Sequence, residues 1–269
     1  MTGSTRTRLG VLGWPVGHSR SPAMQNAALA AVGLADWRYQ LLPVAPALFT
    51  ETVSALPGAG FRGANVTLPH KQAALALADA PTPRARAIGA ANTLIFGDDG
   101  AIAADNTDAP ALVSGLPFAP AGKTALVLGA GGSARAAVWA LLDAGAADVR
   151  VWNRTAERAR ELCTELGGTP VELIEPADML VNCTSIGLDA GDLTFKALPV
   201  SADDLDHYHC VVDLVYRESE TPLAQAARER EIAVVDGLAL LLGQGALSFE
   251  LFTGRTAPID AMRAGLQIP

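Results

Sequence analysis

The sequence predicts an α/β protein built as two domains, and three observations carry that expectation. Strand-like apolar runs alternate with helical stretches from end to end, which is the pattern of an α/β architecture. Pro117, Pro120 and Gly122 punctuate the middle of the chain, and its character changes there. From Thr124 the run TALVLGAGGSARAAVWALL reads as a buried strand entering a glycine-rich turn and then a helix.

Taken in order, residues 9–13 read as a first strand, followed by the loop WPVGHSRS. Ser21 is placed as the cap of a helix with Pro22 at its first position, and Gly33 ends it. Residues 37–42 form a second strand, a helix follows near 47–56, and 63–67 resume as strand. A helix is expected from about 70 to 80. Residues 92–96 and 101–104 then read as a hairpin whose turn, GDDG, supplies the required Gly and Asp. A domain boundary falls near 105–122. Beyond it, 148–152 is a strand, Thr221–Pro222 opens a helix, 232–235 is a short strand, 238–252 is helical, and Pro258 opens a last helix to Leu266. This order assigns 1–106 to a first domain and 107–237 to a second, with the helices of 238–269 returning to the first. Beyond general alanine enrichment there is no repeat or low-complexity tract.

Composition excludes several function classes. The chain has 269 residues, 50% apolar, 18% charged and 5% aromatic, with a formal charge of -8. No Lys/Arg-rich stretch stands against that balance, so no nucleic-acid partner is expected. The two most apolar stretches are interrupted by Arg135 and Asp236, and none approaches the roughly 18 residues of a spanning helix. MTGSTRTRLG lacks an apolar run behind its arginines and reads as a polar tail, not a secretory signal. Cys163, Cys183 and Cys210 are odd in number and widely spaced, which excludes a disulfide framework. His18, His70, His207 and His209 show no strong ligand spacing. The H-x-H pair at 207 and 209 reads as solvated loop histidines. A cytoplasmic protein without a metal is the expectation.

The strongest motif is Gly129-Ala130-Gly131-Gly132-Ser133-Ala134, which fits G-x-G-x-x-G/A after a strand and before a helix. Its parts make a tight turn, let backbone approach a pyrophosphate, and allow close helix–strand packing. The helix then aims its amide N–H groups and positive dipole end at the phosphates. An NAD site would carry Asp or Glu at the end of the second strand. Here that place holds Asn153, followed by Arg154 and Thr155, with Arg158 four residues beyond Arg154. Cations are unfavourable at a helix start, whereas a guanidinium bonds a 2′-phosphate bidentately. The expectation is NADP over NAD. GKT at 122–124 is not a P-loop, because the upstream glycine would fall at Pro117.

Four polar clusters precede residue 109: Ser19 and Ser21 in SRSP; Asn65, Thr67 and Lys71 in NVTLPHK; Asn92 and Thr93 in GAANT; Asn106, Thr107 and Asp108 in DNTD. All lie at expected strand ends or adjoining loops, where ligands of open α/β sheets gather. Hydroxyls, amides, a lysine and a carboxylate suit a small polyhydroxylated acid. Each has a structural alternative: Ser21 as a cap, Lys71 as a surface helix start, the Asn and Thr residues as turn formers, Asp108 as a turn cap.

GWPVGHSRSPAM, GANVTLPHK, IGAANT, ADNTD, GAGGSARA, NRT, NCTSIGL, DLVY, TPL and LLGQGALSFELFTG follow one another over nearly the full length of the chain. In these motifs and their order the chain resembles the shikimate dehydrogenase family. The resemblance implies NADPH-dependent, reversible reduction of 3-dehydroshikimate to shikimate, on the way to chorismate and the aromatic amino acids. It also implies an N-terminal α/β substrate domain, a Rossmann-like NADP-binding domain, and an active site in the cleft between them. By resemblance Ser19 and Ser21 bind the substrate carboxylate, Lys71 and Asp108 match the catalytic pair, and Thr67, Asn92, Tyr216 and Gln244 match substrate contacts. Gly129, Ala130, Gly131, Gly132 and Ser133 line the pyrophosphate, and Asn153, Arg154, Thr155 and Arg158 the adenosine side. Thr184, Ser185, Leu214 and Gly237 complete the cofactor set, with Asn182 in the same loop as Thr184. Two departures are visible: Ala109 stands where a glycine often follows NTD, and Leu188 replaces a frequent Met near the nicotinamide.

Hydride addition to a ketone develops negative charge on oxygen, so a positioned cation that can give a proton lowers the barrier. Lys71 is assigned that task, as acid in reduction and base in oxidation, with Asp108 steadying the ammonium and a substrate hydroxyl. The partners implied are small molecules only, and the assembly a monomer or homodimer. Nearby alternatives are a quinate/shikimate dehydrogenase and an aminoshikimate-pathway relative. The two serines of SRSP favour shikimate over quinate, and the lack of an acidic residue in the cofactor loop disfavours NAD. A folate-type dehydrogenase/cyclohydrolase would need a Tyr and Lys set absent from the matching loops. Intact Lys71 and Asp108 argue against a non-catalytic NADP-binding regulator.

Overall fold

Two six-stranded sheets organise the computed structural model, which describes residues 7–188 and 193–267. The polar tail expected at 1–6 lies outside the described residues. The first stretch runs β1 (Thr7–Gly13), α1 (Ser21–Ala31), β2 (Trp37–Pro43), a 3-10 turn leading into α2 (Phe49–Ala55), β3 (Phe61–Val66), α3 (Lys71–Ala76), β4 (Ala80–Pro81), α4 (Pro83–Ile88), β5 (Thr93–Phe96) and β6 (Ile102–Asp105). Next come α5 (Asp108–Gly115), β7 (Thr124–Leu128), α6 (Gly132–Asp143), β8 (Asp148–Trp152), α7 (Ala156–Leu166), β9 (Thr169–Pro170), β10 (Met179–Asn182), α8 (Thr194–Ala197), β11 (Cys210–Asp213), α9 (Pro222–Glu229) and β12 (Ala233–Val235). The chain closes with α10 (Gly237–Thr253) and α11 (Ile259–Leu266). Contacts divide it into two units, one ending at Thr107 and resuming at Leu241, the other spanning Asp108–Leu240. The second boundary therefore falls within α10.

In the first unit the strand order is β2-β1-β3-β5-β6-β4. β1 pairs in parallel with β2 and β3, whereas β5 runs antiparallel to both β3 and β6. That reversal brings the start of β5 and the end of β6 to the same sheet end as the exits of β1 and β3. Loops far apart in sequence meet there. The returning helices fill the core of this unit, where Phe249 and Phe252 of α10 and Met262 and Leu266 of α11 are 0–2% exposed. The helix α10 lies close on β3 because residue 63 is glycine: a Cβ there would come within 2.5 Å of the Phe252 ring. α11 docks on α1 through Gly265, whose absent Cβ would stand 2.8 Å from the Ala23 carbonyl oxygen.

The second unit carries a wholly parallel sheet, ordered β12-β11-β10-β7-β8-β9. Every residue of the central strands β10 and β11 is buried, as expected where helices cover both faces. Chain direction across the sheet switches between β7 and β10, and ligands of such sheets bind outside the carboxyl ends of the strands at that switch.

Three expectations need correction. Ser21 does not cap α1; it is the first helical residue, Arg20 occupies the cap position without a side-chain bond, and the Ser19 hydroxyl accepts from the Ser21 N–H at 3.3 Å. The helix expected over 70–80 ends at Ala76, because the chain then turns to β6: the Asp79 N–H donates to the Ile102 carbonyl at 2.8 Å and Ala80–Pro81 pair with β6, after which α4 starts separately at a Thr82–Pro83 cap in which Thr82 Oγ1 accepts from Ala85 N at 3.1 Å. Asn182 is the last residue of β10 and is fully buried, not part of a loop.

Candidate active site

At the shared end of the first sheet the structure gathers Ser19, Ser21, Thr67, Lys71 and Asn92. Thr67 follows β3 and is tied back by its N–H to the Leu12 carbonyl at 2.8 Å. Gly13, at the end of β1, makes room for it: a Cβ would meet the Thr67 methyl at 2.5 Å. Lys71 opens α3 and is 9% exposed, so the reading of Lys71 as a surface helix start does not hold. Lys123 is half-buried and Lys196 exposed, leaving Lys71 the one buried lysine.

Asn92 sits in a hydrogen-bond network that fixes its amide. The Thr107 N–H can only donate, and it donates to Asn92 Oδ1 at 2.8 Å. Asn92 Nδ2 must then face Thr107 Oγ1 at 2.9 Å and Gln244 Oε1 at 3.4 Å. Behind it, Asn65 Nδ2 donates to Ser248 Oγ at 2.8 Å, and Tyr39 donates to Asn65 Oδ1 at 2.8 Å. Thr93 Oγ1 lies 3.0 Å from Ser248 Oγ. Buried networks whose members are all satisfied are rigid, so this end of the sheet presents preset groups. The DNTD turn is braced likewise: Asp105 is 5% exposed and takes a two-pronged contact from Arg84, at 3.2 Å from Nε and 2.7 Å from Nη2. Asp108 and Tyr216 belong to the second unit, in the first turn of α5 and in the segment after β11.

In the second unit, Gly129 leaves β7 with φ of 109°, a left-handed value that favours glycine, and a Cβ there would meet the Cys183 backbone at 3.2 Å. Gly131 differs: a Cβ on it would meet no atom within 4 Å. The protein does not itself need glycine at 131, and the open space ahead of the α6 N-terminus suits a diphosphate. Ala134 is fully buried against the sheet, as the sixth motif place requires. Past β8, Asn153 Nδ2 donates to the Thr155 carbonyl at 2.8 Å. Arg154, Thr155 and Arg158 are exposed, and among the described residues neither guanidinium has an ion-pair partner. Thr184 and Ser185 follow β10, Leu214 follows β11, and Gly237 opens α10 where a Cβ would come 2.5 Å from the Val215 oxygen.

Other titratable groups serve structure. His70 is 2% exposed, donates from Nε2 to the Val44 carbonyl at 2.8 Å, and stacks on Phe49. Burial pushes the Cys163 and Cys210 thiols up to about 11, which leaves them protonated and unreactive near neutral pH. His207 and His209 are exposed, and among the described residues no group of three metal-ligating side chains occurs. The motifs DLVY and LLGQGALSFELFTG contain Asp213 and Ser248 without giving either a role, and both are buried polar residues of structural weight; the available signal is a carboxylate or hydroxyl inside an otherwise apolar run.

Three family models match the chain: the shikimate dehydrogenase substrate binding domain over 11–94, shikimate / quinate 5-dehydrogenase over 117–186, and the shikimate 5′-dehydrogenase C-terminal domain over 237–267. A shikimate dehydrogenase (NADP(+)) of Methylobacterium radiotolerans is 45% identical over 91% of this chain and 90% of its own length. One from Paracoccus denitrificans is 42% identical over 93% and 92%. Among solved structures, shikimate 5-dehydrogenase from Thermus thermophilus in complex with NADP(H) and shikimate has a TM-score of 0.86 at 39% identity, covering 97% and 98% of the two chains. The Aquifex aeolicus shikimate dehydrogenase has a TM-score of 0.87 at 32% identity, covering 99% and 100%.

Proposed function

The chain belongs to the shikimate dehydrogenase family, and from that premise we propose that it catalyses the reversible, NADP-dependent reduction of 3-dehydroshikimate to shikimate in aromatic amino-acid biosynthesis. The observation that carries the reading at the level of chemistry is Lys71: a buried amine at the sheet end where hydroxyl and amide groups are already fixed. NADPH, when bound, supplies the hydride. The protein's part is to hold the substrate and to move a proton at its reacting oxygen, the task we assign to Lys71. Asp108 is the second member of the pair, accepting from a substrate hydroxyl. Ser19 and Ser21 take the carboxylate, and Thr67, Asn92, Tyr216 and Gln244 the remaining polar groups. With its Oδ1 committed to the Thr107 N–H, the Asn92 amide is held in one orientation, its Nδ2 toward Thr107 Oγ1 and Gln244 Oε1.

The cofactor assignment follows from charge and space. Gly131 leaves room for the diphosphate, and Arg154 and Arg158, which have no ion-pair partner among the described residues, supply positive charge for a 2′-phosphate. Asn153, Thr155, Thr184, Ser185, Leu214 and Gly237 complete the set. A cytoplasmic location and a monomeric or homodimeric state belong to the same reading. The test is absorbance at the reduced-nicotinamide band with shikimate or quinate, each with NADP or NAD. The expected result is fastest turnover with shikimate and NADP. Faster oxidation of quinate with NAD, or binding of NADP without any turnover, overturns the proposal.

A further inference from the structure

At the carboxyl end of the second sheet, one buried carboxylate joins three separate segments. Asp213, the last residue of β11, is 1% exposed. Its Oδ1 accepts from Asn182 Nδ2 at 2.9 Å and from the Val215 N–H at 3.1 Å, and its Oδ2 accepts from Thr221 Oγ1 at 2.6 Å. Donors from the end of β10, from the segment after β11 and from the cap of α9 all converge there. A carboxylate accepts from all three without bringing a proton that needs its own partner.

The connection continues through Asn182. Its Oδ1 accepts from the Thr184 N–H at 3.1 Å and from Thr184 Oγ1 at 2.7 Å. The Thr184 N–H can only donate, so the amide cannot turn round, and Nδ2 must face Asp213. Thr184 Oγ1 in turn accepts from the Ile186 N–H at 3.1 Å. On the other branch Val215 follows Leu214, whose N–H bonds the Asn182 carbonyl at 3.1 Å. Gly237 approaches this branch so closely that a Cβ would come 2.9 Å from the Leu214 oxygen. The two segments that carry Thr184, Ser185 and Leu214 thus share one anchor, and it lies beneath them.

We propose that Asp213 is a positioning residue for the cofactor: its carboxylate holds the segments after β10 and β11 in the register in which Thr184, Ser185 and Leu214 meet NADP. This rests on the reading of those three residues as cofactor contacts. Asp213 itself touches neither cofactor nor substrate. Burial pushes its carboxyl above the ordinary value, and the bonds from Thr221, Val215 and Asn182 oppose that push, with Asp236 adding to it. A group that costs this much to bury and serves only as a helix cap would be out of proportion, since Thr221 already caps α9 by accepting from the Ala224 N–H at 3.2 Å.

The test is steady-state kinetics on the full chain with NADP and shikimate varied in turn, together with Tm. Asp213→Ala is expected to raise KM for NADP at least about tenfold, the scale on which displaced supporting groups are felt, while KM for shikimate stays within about twofold. Asp213→Asn keeps an acceptor toward Asn182 and Val215 and is expected to recover most of the loss. Thr221→Val removes the cap of α9 and the bond to Asp213 Oδ2 but leaves the Oδ1 bonds to Asn182 and Val215, which hold the two cofactor segments, and should lower Tm while KM for NADP holds. If Asp213→Ala behaves like Thr221→Val, with Tm lower and KM unmoved, the proposal is wrong. Should Asp213→Ala not fold, Asn182→Ala decides in the same way: a raised KM for NADP supports the proposal and an unchanged one overturns it. Thr184→Tyr separates the two levels. If it leaves KM for NADP unchanged, the cofactor reading falls and the proposal with it. A raised KM there, with Asp213→Ala and Asn182→Ala unaffected, overturns the positioning role alone.

Discussion

The proton-transfer role proposed for Lys71 rests on its burial at the start of α3. An ammonium in water is strongly solvated and orients poorly, whereas one held at a buried helix start can be aimed at a single oxygen. Lys71→Ala should therefore lower kcat by about 10²–10⁴-fold, the usual contribution of a positioned acid or base, with a smaller change in KM. Stopped-flow and steady-state rates with shikimate and NADP check this, and a kcat near wild type would remove Lys71 from the proton-transfer step. At this scale the motifs tell residue types and their spacing well. SRSP, NVTLPHK and GAANT put Ser19, Lys71 and Asn92 at strand ends or adjoining loops, and the sheet order brings those strand ends to one side of the first unit. What they leave out is direction. That Asn92 Oδ1 is spent on Thr107 N–H, and that Ser248 stands behind Asn65 from 183 positions away in sequence, depends on pairings no local pattern records.

Elements are legible where their punctuation is local. The same Thr–Pro signal opens both α4 and α9, with Thr82 and Thr221 each accepting from the N–H three residues on. It stands out at Thr221 and is hidden at Thr82, because a helix drawn from 70 to 80 absorbs the neighbouring residues. α5 escapes the sequence for a related reason: Pro110 in its first turn resembles turn punctuation, although proline is tolerated at the start of a helix. β10 and β11 are four-residue strands, three apolar residues and a polar last one, too short to assign by periodicity. What secures these strands is Asp178, just before β10. Its carboxylate accepts from the Thr124 N–H at 2.8 Å and Thr124 Oγ1 at 3.1 Å, while its carbonyl accepts from the His209 N–H at 2.9 Å. The starts of β7, β10 and β11 are thereby pinned together. The Thr124 N–H above all, with the Thr124 hydroxyl and Lys123, holds the Asp178 carboxyl below the ordinary carboxylate value against the opposing effect of burial. A depressed folded-state value means that the ion stabilises the fold above the unfolded value of about 3.9, and that this contribution disappears as pH falls through the folded value. Asp178→Asn should then cost about 1–3 kcal/mol at pH 7. Urea unfolding at a series of pH values is expected to show the gap between the two proteins closing in acid. A gap independent of pH would mean that the ionised form is not what holds the strands.

For the molecule as a whole, the two units differ in how the chain supplies them. The second is continuous from Asp108 to Leu240, with its own six-stranded sheet and a core built on strands such as Val127, Val149, Val181 and Val212. The first is assembled from two distant stretches, because α11 and most of α10 return to it after the second unit is complete. Without them, the sheet and α1 lose the cover given by Phe249, Phe252, Met262 and Leu266, each 0–2% exposed. Burying four such side chains stabilises by on the order of 6–12 kcal/mol together, comparable with the whole stability of about 5–15 kcal/mol that a domain normally has. A fragment of residues 1–107 should therefore fail to unfold cooperatively, however intact its substrate motifs are. The fragment 108–240 carries Gly129–Gly132, Arg154, Arg158, Thr184 and Leu214 in one folded unit. It should unfold cooperatively and gain thermal stability when NADP is added, by about 2.7 kcal/mol at a hundred times Kd, while showing no turnover because it lacks Lys71. Circular dichroism melts of both fragments, with and without NADP, measure each part. Cooperative melting of 1–107 would show that the returning helices are dispensable to the first unit. A fragment 108–240 that melts cooperatively but is indifferent to NADP would place essential cofactor contacts outside it.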